Sequence, residues 1–539
     1  MDELPDELIE LIFESCDFKS YKSLRLTCKN LARVVVPRIY EHVHCGLFPK
    51  NLERLRNIST HPELRHMVRR FTFHGELLPH YNTKKEWERQ IDLRPSFKSF
   101  FDVYCKKAGL SDEIMALPGY WEENREYRRA ALEVYEGIPR YRHTKDELTA
   151  CWDNYQKYRM EQDVWGPLSS RMFSNALARL PNLRDAAMVT GRFGEVKKHG
   201  PVWGELLREI LQGPEDWKYI PAREHDNLRV HSQLEGVRQL TDLLEALCNR
   251  KSSNPSEHVQ SLEFFTGNEV FWIQRSDGEV IVPHCYTREE LLASSNGAYP
   301  RIYAMRGAFE HLKKLDLTIC FLIFEDDVES ITEGMKTFLR EARVLEELRF
   351  EWSEENLIGL VTNEPLCDPL EDLEDVYWPR LRSLHLSFTT KERNLLALFK
   401  RHAATLRDLS LKDMFIAQAQ GTWKNVIEQL PKVLKLETIY LEALWDYTWE
   451  GKGACLFEWY EGGAYELSII NYCLHGGPPP IIYPEEWNKL HPDDPAPTAD
   501  LEDEDDEWDD EDEDDDDDDE GTSEESSQEE SEWEDDDDD

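Results

Sequence analysis

The 539-residue sequence predicts an α/β chain with three parts: a small N-terminal helical bundle, a stack of parallel strands with helices outside, and an acidic tail. Three observations predict it. Apolar residues recur at helical spacing near the N-terminus, a short Leu-rich frame repeats in order through the body, and the C-terminal end is almost wholly acidic. The expected divisions are 1–45 for the bundle, 46–180 for a helical linker or insertion, 181–490 for the repeat array and 491–539 for a disordered tail.

In the bundle, Leu4, Leu8, Leu11 and Ile12 recur at helical spacing. Pro5 suits the first turn, where an N–H would lack a partner anyway, and Asp6 and Glu7 suit the positive end of the helix dipole. Asp17 to Ser20 reads as a break. A second apolar series, Leu24, Cys28 and Leu31, runs into Val34, Val35 and Val36 before Pro37. So small a bundle cannot bury all of these side chains by itself. The surplus faces either the rest of the chain or a partner.

The body carries five L-x-x-L-x-L frames: Leu312–Leu315–Leu317, Leu345–Leu348–Phe350, Leu381–Leu384–Leu386, Leu406–Leu409–Leu411 and Leu436–Ile439–Leu441. They are separated by steps of 33, 36, 25 and 30 residues. Val68–Phe71–Phe73, Leu183–Ala186–Met188 and Val259–Leu262–Phe264 fit more loosely. The alternation closing each frame reads as a short strand with one face inward. Helical patterns lie between frames, as in Val328, Ile331, Met335, Phe338 and Leu339, or Trp423, Val426, Ile427 and Leu430. Strand, turn and helix at this period make an irregular leucine-rich-repeat-like array. The middle residues of the L-x-L units, Asp316, Arg349, His385, Ser410 and Tyr440, would then share one outward face and are candidates for holding a ligand. Their mixed chemistry names no ligand class.

The stretch from Thr83 to Arg179 reads as helices that cap or interrupt the array. Its aromatics, Trp87, Phe97, Phe100, Phe101, Tyr104, Trp121, Tyr127 and Tyr135, read as packing and not as a ligand box.

Charge excludes several functions. The net charge is −46, and residues 500–539 hold 30 acidic side chains with no Lys or Arg. A nucleic acid would be repelled overall. Such a tract cannot bury enough apolar area to offset its ordering entropy. The longest nearly apolar run, Leu317 to Phe324, is far short of the roughly 20 residues that span a bilayer. The N-terminus lacks a secretory pattern, and the 11 cysteines are scattered with no CxxC pair. A reduced cytoplasmic or nuclear protein without cofactor or membrane contact is expected.

No catalytic constellation emerges. Phosphate-binding GxxxxGK[ST] and GxGxxG loops are missing from the sequence, as are HExxH and GxSxG. His42, His44 and Cys45 lie close together, but a strand with alternating faces accounts for them. The pattern argues for binding.

Leu4-Pro5-Asp6-Glu7-Leu8, Ile12 and Leu24-Arg25-Leu26-Thr27-Cys28-Lys29-Asn30-Leu31 together resemble an F-box. Asn30-Leu31 stands where many F-boxes carry an aromatic. The resemblance implies a non-catalytic substrate receptor of a cullin–RING ubiquitin ligase, docked on the Skp adaptor and through it on the cullin. It implies adaptor contacts at Leu4, Pro5, Leu8, Ile12, Leu24, Cys28 and Leu31, with an unnamed protein substrate held on the array. Three rival readings are a Skp-binding scaffold outside any ligase, an acidic-tailed, chaperone-like binding protein, and an enzyme on an irregular α/β fold, which no motif supports.

Overall fold

A computed structural model describes residues 8–9, 16, 18–75, 78, 81–90, 97–107, 125–139, 143–189, 210, 240–250, 258–266, 305–320, 335–353, 368–416, 420–447, 453–455, 464–483, 487 and 489–490. Leu4, Pro5, Ile12, Val328, Ile331, Trp121 and the acidic tail lie outside the described residues. Residues 1–498 form one compact unit, and 499–539 are assigned to a second.

The first unit is built on a sheet whose strands are β1 (His42–Gly46), β2 (Arg70–His74), β3 (Asp185–Val189), β4 (Ser261–Thr266), β5 (Lys314–Cys320), β6 (Glu347–Ser353), β7 (Ser383–Ser387), β8 (Thr389–Thr390), β9 (Asp408–Ile416), β10 (Thr438–Tyr447) and β11 (Gly453–Cys455). Along the sheet they follow chain order, with the short β8 paired beside β9. Pairing from β1 to β10 is parallel, and β11 closes the edge antiparallel to β10.

Register follows the Leu frames. Phe71, Ala186, Leu262, Leu315, Leu348, Leu384, Leu409 and Ile439 form one row across the strands, and Phe73, Met188, Phe264, Leu317, Phe350, Leu386, Leu411 and Leu441 form another. All but the partly buried Ile439 are buried in one continuous core. Each such side chain, fully buried, contributes about 1.5–3 kcal/mol, so the frame residues are the chief adhesive of the sheet. All eight frames read from the sequence are strands of this sheet.

Parallel strand pairing begins well before residue 181. Val43 and Cys45 pair with Phe71 and Phe73, so β1 spans the boundary at 45 between the bundle and linker segments, and β2 lies inside the linker segment. Period-2 alternation in His42–Gly46 supplies the first rung without a leucine. Helices do fill much of the remainder: α3 (Pro49–Thr60), α4 (Lys84–Gln90), α5 (Phe97–Lys107), α6 (Arg125–Glu136) and α7 (Lys145–Leu177), after α1 (Phe18–Leu24) and α2 (Lys29–Glu41) of the bundle. Thr144 and Glu147 cap α7 reciprocally, each bonding the other's backbone N–H. Its far end packs Phe173 edge-on against Phe73, with ring centroids 4.5 Å apart. Trp87, Phe101 and Tyr135 are buried as packing residues, whereas Tyr127 is exposed.

Later helices α8 (Glu392–His402), α9 (Trp423–Val433) and α10 (Ala464–His475) lie side by side against the core. Trp423, Val426, Ile427 and Leu430 face inward as their spacing predicts. Polar joints lock successive units together. Asp368 accepts bonds from Leu370 N, Thr390 Oγ1, Lys391 N and Asn394 Nδ2 at 2.8–2.9 Å. His402 Nδ1 donates to Leu398 O and its Nε2 accepts from Trp378 N, an arrangement that requires the neutral ring. Burial holds its pKa down at about 4.

Matched kinks interrupt β9 and β10. Asp413 and Ala443 both adopt φ of +48°, a left-handed conformation costly for residues with a Cβ. Each kink advances the alternation by one residue, so Met414 and Leu444 return to the core.

Candidate functional site

Two surfaces have functional character: the N-terminal bundle and the polar face of the sheet. Ile9, Leu31, Val34, Val35 and Ile39 form the bundle core, with Cys16, Tyr21, Leu24, Cys28 and Tyr40 packed against it. Tyr40 also touches the main core and so ties the bundle to the sheet.

Local chemistry corrects the helix boundaries. Phe18–Leu24 is helical where a break at Asp17–Ser20 is predicted, and the break falls at 25–28 instead. There Thr27 Oγ1 donates to Leu24 O at 2.7 Å, and Cys28 Sγ accepts the Leu31 N–H as the cap of α2. Leu24, Cys28 and Leu31 therefore do not share one helix face. The helix α2 also continues through Pro37 to Glu41, because that proline is exposed and removes only one backbone donor.

Of the seven residues expected at the adaptor surface, Leu8 is 50 % exposed, Leu24 and Cys28 are half-buried, and Leu31 is 2 % exposed within the bundle core. Leu4, Pro5 and Ile12 lie outside the described residues. Leu26, part of the F-box-like stretch but outside those seven, is 78 % exposed. Its signal is an apolar residue off the helical spacing of its neighbours. Leu8 and Leu26 together leave apolar area on the bundle that nothing in the described chain covers. Lys22, Arg25, Lys50 and Arg54 help to line a cleft of about 500 Å³ between the bundle and α3.

On the sheet, the register places Glu263, Asp316, Arg349, His385, Ser410 and Tyr440 opposite one another on successive strands. The five middle residues named from the sequence thus form one row. A second row beside it holds Thr318 and Glu351, and Lys412 and Glu442. Glu351 is the hub: it accepts from Arg349 Nε at 2.8 Å, from Thr318 Oγ1 at 3.2 Å and from His385 Nε2 at 3.1 Å. Burial alone would raise its pKa, but the His385 and Arg349 hydrogen bonds outweigh burial and hold it at about 2. His385 Nδ1 lies 2.7 Å from Ser410 Oγ. Further along, Glu442 pairs with Lys412 at 3.0 Å and accepts the Tyr440 hydroxyl.

A serine, histidine and carboxylate in sequence also occur in nucleophilic catalysis, where backbone N–H groups await a developing oxyanion. Here Ser410 sits inside the β7–β9–β10 ladder, and the surrounding amides serve strand pairing.

The opposite end of the face is histidine-rich. His42 Nε2 lies 2.8 Å from Thr72 Oγ1, and His44 Nδ1 lies 3.2 Å from His74 Nε2. Burial, then neighbouring positive charge, pushes His42 down to about 3 and His44 to about 4. Cys45 points to the other face, into the core, so His42, His44 and Cys45 do not converge. Among the described residues no group of three His, Cys, Asp or Glu is placed to hold a metal ion, and no helix is long and apolar enough to cross a membrane.

Comparison with known families matches residues 1–37 to the F-box domain. No curated protein matches the chain. F-box domains bind the Skp adaptor and through it the cullin, and proteins that carry them are generally non-catalytic adaptors of ubiquitin ligases. The chain therefore carries an F-box at its N-terminus, on a mixed α/β body with a parallel sheet.

Proposed function

We propose that this protein is a substrate receptor of an SCF-type ubiquitin ligase, with the F-box on the Skp adaptor and the leucine-rich-repeat-like sheet holding a protein substrate. The observation that carries this reading is the F-box match over residues 1–37 on a bundle that leaves Leu8 and Leu26 exposed. Solvent-facing leucines on a tightly packed bundle gain burial when a partner covers them. The array, attached through Tyr40, contributes a polar face suited to binding a chain. In this role the protein makes and breaks no covalent bond. It raises the local concentration of substrate near a ubiquitin-conjugating enzyme held elsewhere on the assembly. It works in the cytoplasm or nucleus, in keeping with the free thiols of Cys16, Cys28, Cys45, Cys105, Cys151, Cys248 and Cys473.

Co-purification with the Skp adaptor tests the proposal. The intact chain should capture the adaptor. Leu8→Asp with Leu26→Asp, both at exposed positions, should weaken capture by roughly tenfold or more while circular dichroism is unchanged. No capture by the intact chain would overturn the receptor reading.

A further inference from the structure

The hydrogen-bond network on the polar face does not account for Asp316. Its side chain is 9 % exposed, and it points away from the core because its neighbours Leu315 and Leu317 fill it. Its Oδ1 has no hydrogen-bond partner. Arg349 Nε is 3.8 Å away, beyond hydrogen-bond reach, and that guanidinium is already bonded to Glu351. On the preceding strand the register sets Glu263 directly beside Asp316. Glu351 stands one row over, its oxygens taken by Arg349, His385 and Thr318.

A buried carboxylate oxygen without a donor is costly, because water's hydrogen bonds are lost and the ion pair with Arg349 at 3.8 Å supplies charge but no hydrogen bond in their place. The missing element is a donor, and beside a second carboxylate the favoured donor is positively charged. A metal ion fits less well, since no three ligands are suitably grouped among the described residues.

We infer that Asp316 and Glu263, walled by Glu351, form a subsite for one cationic side chain, lysine or arginine, of the protein held on the sheet. This rests on the reading of the sheet as the substrate-holding part. The guest's N–H groups bond Asp316 Oδ1 and the Glu263 carboxylate, while Arg349 stays clamped to Glu351. The substrate class is thus a polypeptide presenting a basic residue to β4 and β5.

The test uses the full chain bound to the Skp adaptor. The probes are a set of short fluorescent peptides with varied neutral flanks, each carrying a single Arg or Lys, paired with twins in which citrulline or acetyl-lysine replaces it. Anisotropy is read at about 0.15 M salt, which screens a lone peptide charge from the distant field of an acidic chain. Some Arg or Lys peptides should bind about tenfold more tightly than their twins. Asp316→Asn should erase that preference with adaptor capture unchanged. So should Glu263→Gln, a half-buried site that guards against a packing effect of the first variant. A preference surviving both substitutions, or no preference anywhere in the set, would overturn the subsite. Preference retained by a chain that captures no adaptor would support the subsite and overturn the ligase reading alone.

Discussion

One sheet carries histidines on the same face at both ends, in opposite surroundings. In β1 and β2, His42, His44 and His74 bond to one another or to Thr72, and burial beside Arg70 and Arg54 keeps His42 and His44 uncharged. In β6 to β9, His385 bridges Ser410 and Glu351, within a lattice of carboxylates and guanidinium groups. The same rung position acts as a neutral seal at one end and as part of a charged surface at the other. What differs is the neighbouring strand: His42 meets Thr72 and His44 meets His74, with Arg70 beside them, whereas His385 meets Glu351. The fold supplies equivalent places, and adjacent residues assign their chemistry.

The contrast is broken most strongly by pH. Free histidine titrates near 6.5, so below that pH the unfolded chain binds protons that folded His42 and His44, at about 3 and 4, refuse. Their contribution is therefore complete above pH 6.5 and declines as pH falls towards 4, by roughly 1 kcal/mol per pH unit for each histidine. Urea unfolding at pH 7 and pH 5 measures it, and His42→Gln with His44→Gln should flatten the slope.

At Asp316 the sign reverses. Burial raises its carboxyl from 3.8 to about 6, so folding is penalised as pH rises through that interval. Asp316→Asn should therefore stabilise the chain at pH 7 by roughly 1–2 kcal/mol, with little effect at pH 4. A loss of stability at pH 7 would mean that Arg349 compensates the charge fully. The smallest effect sharpens the picture of the charged end. Ala443→Gly relieves a left-handed φ and should gain up to about 1 kcal/mol in chemical denaturation.

Much of this was legible where the signal was periodic. Leu315, Leu348, Leu384, Leu409 and Ile439 announce their strands, and their equal spacing from the middle residues brings Asp316 through Tyr440 into one row. The rung at His42–Gly46 was harder to read as part of the array, because Val43 and Cys45 replace the leucines and the segment adjoins the bundle. Polar joints leave no periodic trace. Nothing near Asp368, His402 or Glu351 in sequence reveals partners 22 to 34 residues away. Leu24, Cys28 and Leu31 mislead because helical spacing says nothing of a cap. Cys28 takes the Leu31 amide and divides the series into two helices. Leu8 and Leu26 show the same limit from outside, since exposure depends on which turn of the bundle each residue ends.

Strands β1 to β7, then β9 and β10, pair in the order in which the chain is made. A newly emerged segment needs only the strand just before it as a template, so the sheet can lengthen rung by rung during translation, without waiting for the C-terminal end. The F-box leaves the ribosome before the later, charged rungs, so the surface that suits a Skp adaptor can be complete while the polar face of the sheet is still being synthesised.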